Sequence, residues 1–190
     1  GGKEAKISKR AGTFITLDEL VREVGLDAVR FFFLMYSPNT HMDFDMKLAK
    51  ERSAKNPVYY VQYGHARLCA ILRKVKNQKS PPNADKPRAE KIKIISQNLK
   101  LLKTENDLNI IRKLIEFPEI LSDISKNYEV HRLPRYALEL AQEFHNFYEK
   151  ERVITEDKKL TSARLALVMA TKIVLANTLN IMGIDTPERM

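Results

Sequence analysis

The sequence predicts an all-α protein, a helical bundle of roughly six to eight helices. Three observations carry that expectation. Asn56–Val75, NPVYYVQYGHARLCAILRKV, opens on a helix start signal and continues at a helical hydrophobic period. Leu160–Met182 is apolar on almost every side, as a helix at the centre of a bundle would be. No useful run of alternating apolar and polar residues occurs anywhere, so no strand is expected.

Taken in order, Gly1–Gly12, GGKEAKISKRAG, has glycines at both ends and no apolar period, which predicts a flexible loop. Lys3, Lys6, Lys9 and Arg10 concentrate positive charge there, and such a loop can fold over a polyphosphate. On composition alone the plainer reading is a solvated basic loop. The chain opens on Gly1 rather than methionine and reads as a piece of a longer protein.

Thr16-Leu17-Asp18-Glu19 is a capping-box pattern opening a short helix that Gly25 ends. Asp27 is placed to cap the next helix, Ala28–Tyr36. Its five successive apolar residues, Phe31 to Met35, argue for burial on more than one side. Ser37-Pro38-Asn39 breaks it, His41–Asp45 reads as an extended connector, and Met46–Ser53 as a polar helix leading to Asn56-Pro57.

Residues 77–87, NQKSPPNADKP, hold three prolines and predict an exposed linker between two helical halves. Arg88–Lys103 returns to helical spacing with Ile92, Ile95, Leu99 and Leu102 inside. Glu105–Ile115 and Glu119–Lys126 read as two helices separated at Phe117-Pro118. Pro134 starts a long helix to about Arg152, lined by Leu133, Ala137, Leu140, Ala141, Phe144 and Tyr148. After a polar loop at 155–159, Leu160–Met182 follows. Asn177 and Asn180 interrupt it and call for partners, and Gly183 ends it.

The formal net charge of +9, from 33 Lys+Arg against 24 Asp+Glu, favours an anionic partner such as nucleic acid. One cysteine, Cys69, excludes a disulfide framework and fits a reducing compartment, here the cytoplasm. Four histidines without a second cysteine give no metal-ligand spacing, so no metal site is expected. The purely apolar runs are short, so no membrane span is expected either.

The candidate binding surface lies on the Asn56–Val75 helix. With Tyr60 at 0° and about 100° per residue, Val61, Leu68, Leu72 and Val75 fall between roughly 60° and 120°. Tyr60, Tyr63 and Arg67 fall at roughly 0°, 300° and 340°, off that aliphatic stripe. Two phenols and a guanidinium on one face suit unpaired bases, which stack on rings and whose phosphates meet a cation. Phe144 lies on its own helix's apolar stripe and reads as core, and Tyr148 sits at the stripe's edge.

Three stretches together resemble arginyl-tRNA synthetase, a class I aminoacyl-tRNA synthetase. The first is Lys6-Ile7-Ser8-Lys9-Arg10-Ala11-Gly12, continuing through Leu17 and similar to the second class I signature. The second is Phe31-Phe32-Phe33-Leu34 through Asp43-Phe44-Asp45, then Asn56-Pro57 through Arg67. The third is Leu133-Pro134-Arg135-Tyr136 through Phe144-His145-Asn146-Phe147-Tyr148, with Pro187-Glu188-Arg189-Met190 at the end. The resemblance is weakest across 77–127.

It implies two parts: residues 1–15 as the signature loop closing a Rossmann-type catalytic domain, and 16–190 as an all-α anticodon-binding domain. In similar enzymes the loop closes on ATP, so Lys6, Ser8 and Lys9 would hold a latent catalytic role. The helical domain grips the anticodon loop, a role carried over to Tyr60, Tyr63, Arg67, Tyr148, Phe144 and Met190. The full-length enzyme would be an arginine–tRNA ligase using ATP and magnesium. This chain shows no His-Ile-Gly-His segment and no phosphate-binding glycine loop. It would therefore bind its tRNA as a monomer, need no cofactor, and be inactive alone. The alternative is a helical RNA- or protein-binding module unrelated to any ligase.

Overall fold

The computed structural model describes residues 15–76 and 98–190, and among these all regular structure is helical. In order the elements are α1 (Leu17–Val24), α2 (Leu26–Leu34), α3 (Met46–Lys50), α4 (Pro57–Lys76), a 3-10 turn (Leu99–Leu101), α5 (Glu105–Asn127), α6 (Arg132–Lys150) and α7 (Lys158–Ile181). Lys6, Ser8, Lys9 and the linker at 77–87 lie outside the described residues.

The local signals for these elements act as their chemistry dictates. Thr16 and Glu19 close the capping box of α1, and Gly25 turns the chain at a φ of 89°. Asn56 is buried; its Oδ1 accepts from Val58 N at 3.2 Å while its Nδ2 donates to the carbonyls of Ala49 and Glu51. One side chain thus caps α4 and ties it to the end of α3.

Helices α4, α5, α6 and α7 form the bundle. The α5–α6 pair packs most extensively, α4 lies against both α6 and α7, and α7 also touches α5 and the 3-10 turn. The small α1–α3 group joins through α2, which packs on α4 and α6. Phe31, Val61, Leu68, Leu140, Phe144, Phe147, Leu175 and Leu179 meet in one core and are fully buried. A buried polar node fixes the α5–α7 side. Arg164 donates to the Arg152 carbonyl at 2.9 Å and to Glu151 at 2.5 Å, and its Nε lies 3.4 Å from the buried Asp107 carboxylate.

Several sequence expectations need correction. Glu105–Asn127 is one helix running through Pro118, not two. The proline costs about 3 kcal/mol in a helix interior, but burying Ile110 and Phe117 before it returns about 1.5–3 kcal/mol each, and Ile120, Leu121 and Ile124 after it are partly buried against the same core. Helix α2 starts two residues early, at Leu26 with Gly25 in the N-cap position, and Asp27 is engaged elsewhere: it accepts from Gln62 Nε2 at 2.7 Å and from Asp185 N. The polar helix from Met46 stops at Lys50, not Ser53. Where the described residues resume, the stretch around 99–101 is a 3-10 turn, with Leu102 buried but Leu99 exposed.

Helix α7 is an inner helix on three sides only. Met169, Ile173, Asn177, Asn180 and Ile181 face outward, so the two asparagines meet water rather than buried partners. By length and composition it is long and apolar enough to cross a membrane, with a mean hydropathy of 1.3, which the count of short apolar runs did not anticipate. In this fold its apolar faces pack against α4, α5 and α6.

Candidate nucleic-acid interface

The seam between α4 and α6 gathers most of the aromatic candidates. Tyr63 and Arg67 stand one turn apart on α4, and Tyr148 comes from the last turn of α6. The Arg67 guanidinium carbon lies 5.0 Å from the Tyr63 ring centroid and 4.9 Å from that of Tyr148. Two phenol faces therefore hold one cation, an attraction of about 0.5–1 kcal/mol per ring at exposed sites. Its Nη2 also donates to the Tyr63 hydroxyl at 3.1 Å. Tyr63 is 36% exposed and Tyr148 40%, so both rings keep a surface toward solvent.

Tyr59 extends the array, lying one turn before Tyr63 with its ring nearly parallel to it at 6.3 Å. The arrangement gives successive π surfaces with a guanidinium between two of them, the composition that bases and phosphates of a single-stranded loop can use together.

Not every candidate lies in this surface. Tyr60 is half-buried, packed against the core with its ring 4.8 Å from that of His145. Burial, followed by the negative charge of Glu149, raises its phenol above the ordinary range. The α4 face is thus divided: Tyr63 and Arg67 stand outward while Tyr60 leans into the seam.

Phe144 has no exposed surface. It supports the array from below, 6.0 Å from the Tyr148 ring and 5.6 Å from His145, and its burial excludes direct stacking on a base. The helical period had already placed it inward, and the structure favours that reading over the resemblance.

Met190 is exposed at the end of a tail whose polar contacts lie on another flank of α4. The Pro187 carbonyl accepts from His65 Nδ1 at 3.0 Å, and the Glu188 carbonyl from Arg73 at 2.8 Å. His65 and Arg73 project at roughly 140° and 220° in the frame that puts Tyr63 and Arg67 at roughly 300° and 340°. The described contacts therefore do not join Met190 to the aromatic array.

Sequence reasoning missed His145 and Tyr59. His145 is 8% exposed and lies against Arg67, Tyr63, Tyr60 and Phe144. Its Nδ1 is 3.4 Å from Arg67 Nη1, and its ring is nearly parallel to that of Tyr63. Burial and the adjacent Arg67 push its pKa below the ordinary histidine value, against the opposing pull of Glu149 and the Tyr60 carbonyl. The available signal was spacing: His145 precedes Tyr148 by one turn, and Tyr59 precedes Tyr63 by one. Among the described residues no cluster of His, Cys, Asp or Glu is suited to hold a metal ion.

Comparison with known proteins gives a consistent result. The chain is 47% identical over 189 residues to the arginine–tRNA ligase of Symbiobacterium thermophilum, a match covering 100% of this chain and 32% of that relative. It thus spans about a third of the length of the curated relatives it matches. Among solved structures it is similar to the arginyl-tRNA synthetase of Plasmodium falciparum, with a TM-score of 0.69 and 25% identity over 93% of this chain and 29% of that one. The Thermus thermophilus arginyl-tRNA synthetase gives a TM-score of 0.62 and 28% identity over 96% of this chain and 29% of that one. The DALR anticodon-binding domain matches residues 61–190, well over half of the sequence, including α6 and the part of α4 from Val61 onward, and this chain belongs to that family.

Proposed function

We propose that this chain is the tRNA-binding part of an arginine–tRNA ligase, with residues 16–190 forming the anticodon-binding domain. Residues 1–15 are then the end of a catalytic domain, where Lys6, Ser8 and Lys9 would serve ATP in the complete enzyme. The complete enzyme joins arginine to its tRNA through an adenylate, with ATP and magnesium. Apart from that loop, this chemistry belongs to the part of the relatives' length that the chain does not span. Lys6, Ser8 and Lys9 lie outside the described residues, so no catalytic step is derived from them. The reading carries with it a monomeric, cytoplasmic protein that catalyses nothing as this chain alone.

The observation that supports this reading best is the cation held between two half-exposed phenols at the α4–α6 seam. Bases of an anticodon loop are unpaired and present the faces such rings accept. The excess of positive charge supplies non-specific attraction to the phosphate backbone. Membership of an anticodon-binding family weighs against a helical module of unrelated ancestry.

The test is a salt-dependent binding comparison between an arginine tRNA and an unrelated tRNA. Tighter binding of the arginine tRNA at every salt concentration is expected. Equal affinity for both would overturn the reading. Arginine-dependent ATP–pyrophosphate exchange by this chain should stay at blank level, and turnover above blank would refute its inactivity.

A further inference from the structure

We propose that His145 is the positioning residue of this interface: its unprotonated Nδ1 accepts from Arg67 and holds the guanidinium between Tyr63 and Tyr148. This deepens the RNA-binding reading above and rests on it.

The argument begins with hydrogen-bond roles. A guanidinium only donates, so the ring nitrogen 3.4 Å from Arg67 Nη1 must be the acceptor. The ring proton then sits on Nε2. That atom faces α4 at Gly64, 3.6 Å from where a Cβ on that glycine would stand. The Tyr60 carbonyl there is close enough to favour a proton on the ring, but it is not aligned for a full hydrogen bond.

His145 cannot readily turn away. Its ring is walled by Tyr60 at 4.8 Å, Phe144 at 5.6 Å and Tyr63 at 6.1 Å. The charged groups acting on it are Arg67 from α4 and Glu149 from α6, while the α7 side chain beside Gly64, Leu175, is apolar. A second proton on this ring would convert the acceptor into a donor and set a cation against Arg67 in a partly buried contact. The guanidinium would then leave the slot between the two phenols. RNA binding should therefore weaken on acidification, the reverse of the usual trend, in which a more cationic protein holds a polyanion more tightly.

The test measures binding of an arginine anticodon stem-loop to the full chain from about pH 8 to about pH 5.5 at constant ionic strength, with circular dichroism monitoring the fold. Wild type should lose about three- to tenfold in affinity on acidification, the net value of one ordinary hydrogen bond. His145→Asn, whose Oδ1 can take the place of Nδ1, should match wild type at the alkaline end and show no acid loss. His145→Leu should bind weakly across the range. An acid loss of the same size in His145→Asn, with His65 still present in both, would overturn the proposal. Nitrogen NMR of free wild type separates this from the binding reading: the Arg67 guanidinium signal should shift with the titration of His145. A signal that ignores that titration overturns the positioning role, whereas a normal shift without stem-loop binding counts against the RNA reading instead.

Discussion

Arg67 and Tyr148 meet across the α4–α6 seam, the guanidinium carbon 4.9 Å from the centre of a phenol ring 81 positions later in the chain. Tyr63 closes the other side at 5.0 Å. Neither helix alone makes this arrangement, and its expected behaviour can be checked residue by residue.

Tyr63→Ala and Tyr148→Ala should each weaken binding of an arginine anticodon stem-loop while leaving the fold intact. A stacked base is worth about 1–3 kcal/mol, so the loss should be roughly fivefold to a hundredfold at fixed salt. Fluorescence anisotropy measures it. Unchanged affinity in both variants would remove the array from the RNA contact.

Arg67→Ala should lower affinity and flatten the dependence of binding on salt by about one unit if its remaining donors meet a phosphate. A lower affinity with an unchanged slope would assign it to stacking. The measurement is a salt titration of the same stem-loop.

Phe144→Ala acts differently. The ring is fully buried, so its truncation should cost about 3–5 kcal/mol of stability in urea unfolding. Any loss of RNA affinity should follow the loss of folded protein. Reduced binding by a variant of unchanged stability would return Phe144 to the contact surface.

Stability should depend on pH through two histidines. Burial lowers both His65 and His145 from the ordinary value, with the Pro187 carbonyl opposing the shift at His65 and Arg67 adding to it at His145. A histidine lowered in the folded state favours folding fully above the unfolded value of about 6.5, and the contribution is lost as pH falls through the folded value. The urea midpoint should be level from about pH 7 to 8 and decline below about pH 6.5. A midpoint unchanged down to about pH 5 would contradict this.

Pro118→Ala should raise stability. The residue lies inside α5, where it supplies no N–H and disturbs the preceding turn, at a cost of up to about 3 kcal/mol. A higher thermal midpoint is expected, and a lower one would show that the proline fits a bend the bundle requires.

Much of this protein is legible from residue order alone. Helical class, the capping box at Thr16, the Asn56 cap and the inward stripe of α6 are local properties, set by spacing of at most a few turns. The same locality identified Tyr63 and Arg67 as neighbours, since four residues along a helix is one turn. Tertiary packing decided the rest. Whether α5 continues through Pro118 depends on what its flanking side chains bury. Whether Tyr60 faces water depends on where His145 arrives from α6, and the pairing of Arg67 with Tyr148 depends on how two helices cross. These outcomes join residues far apart in the chain, and a one-dimensional period carries no information about which distant side chain fills the other half of a contact.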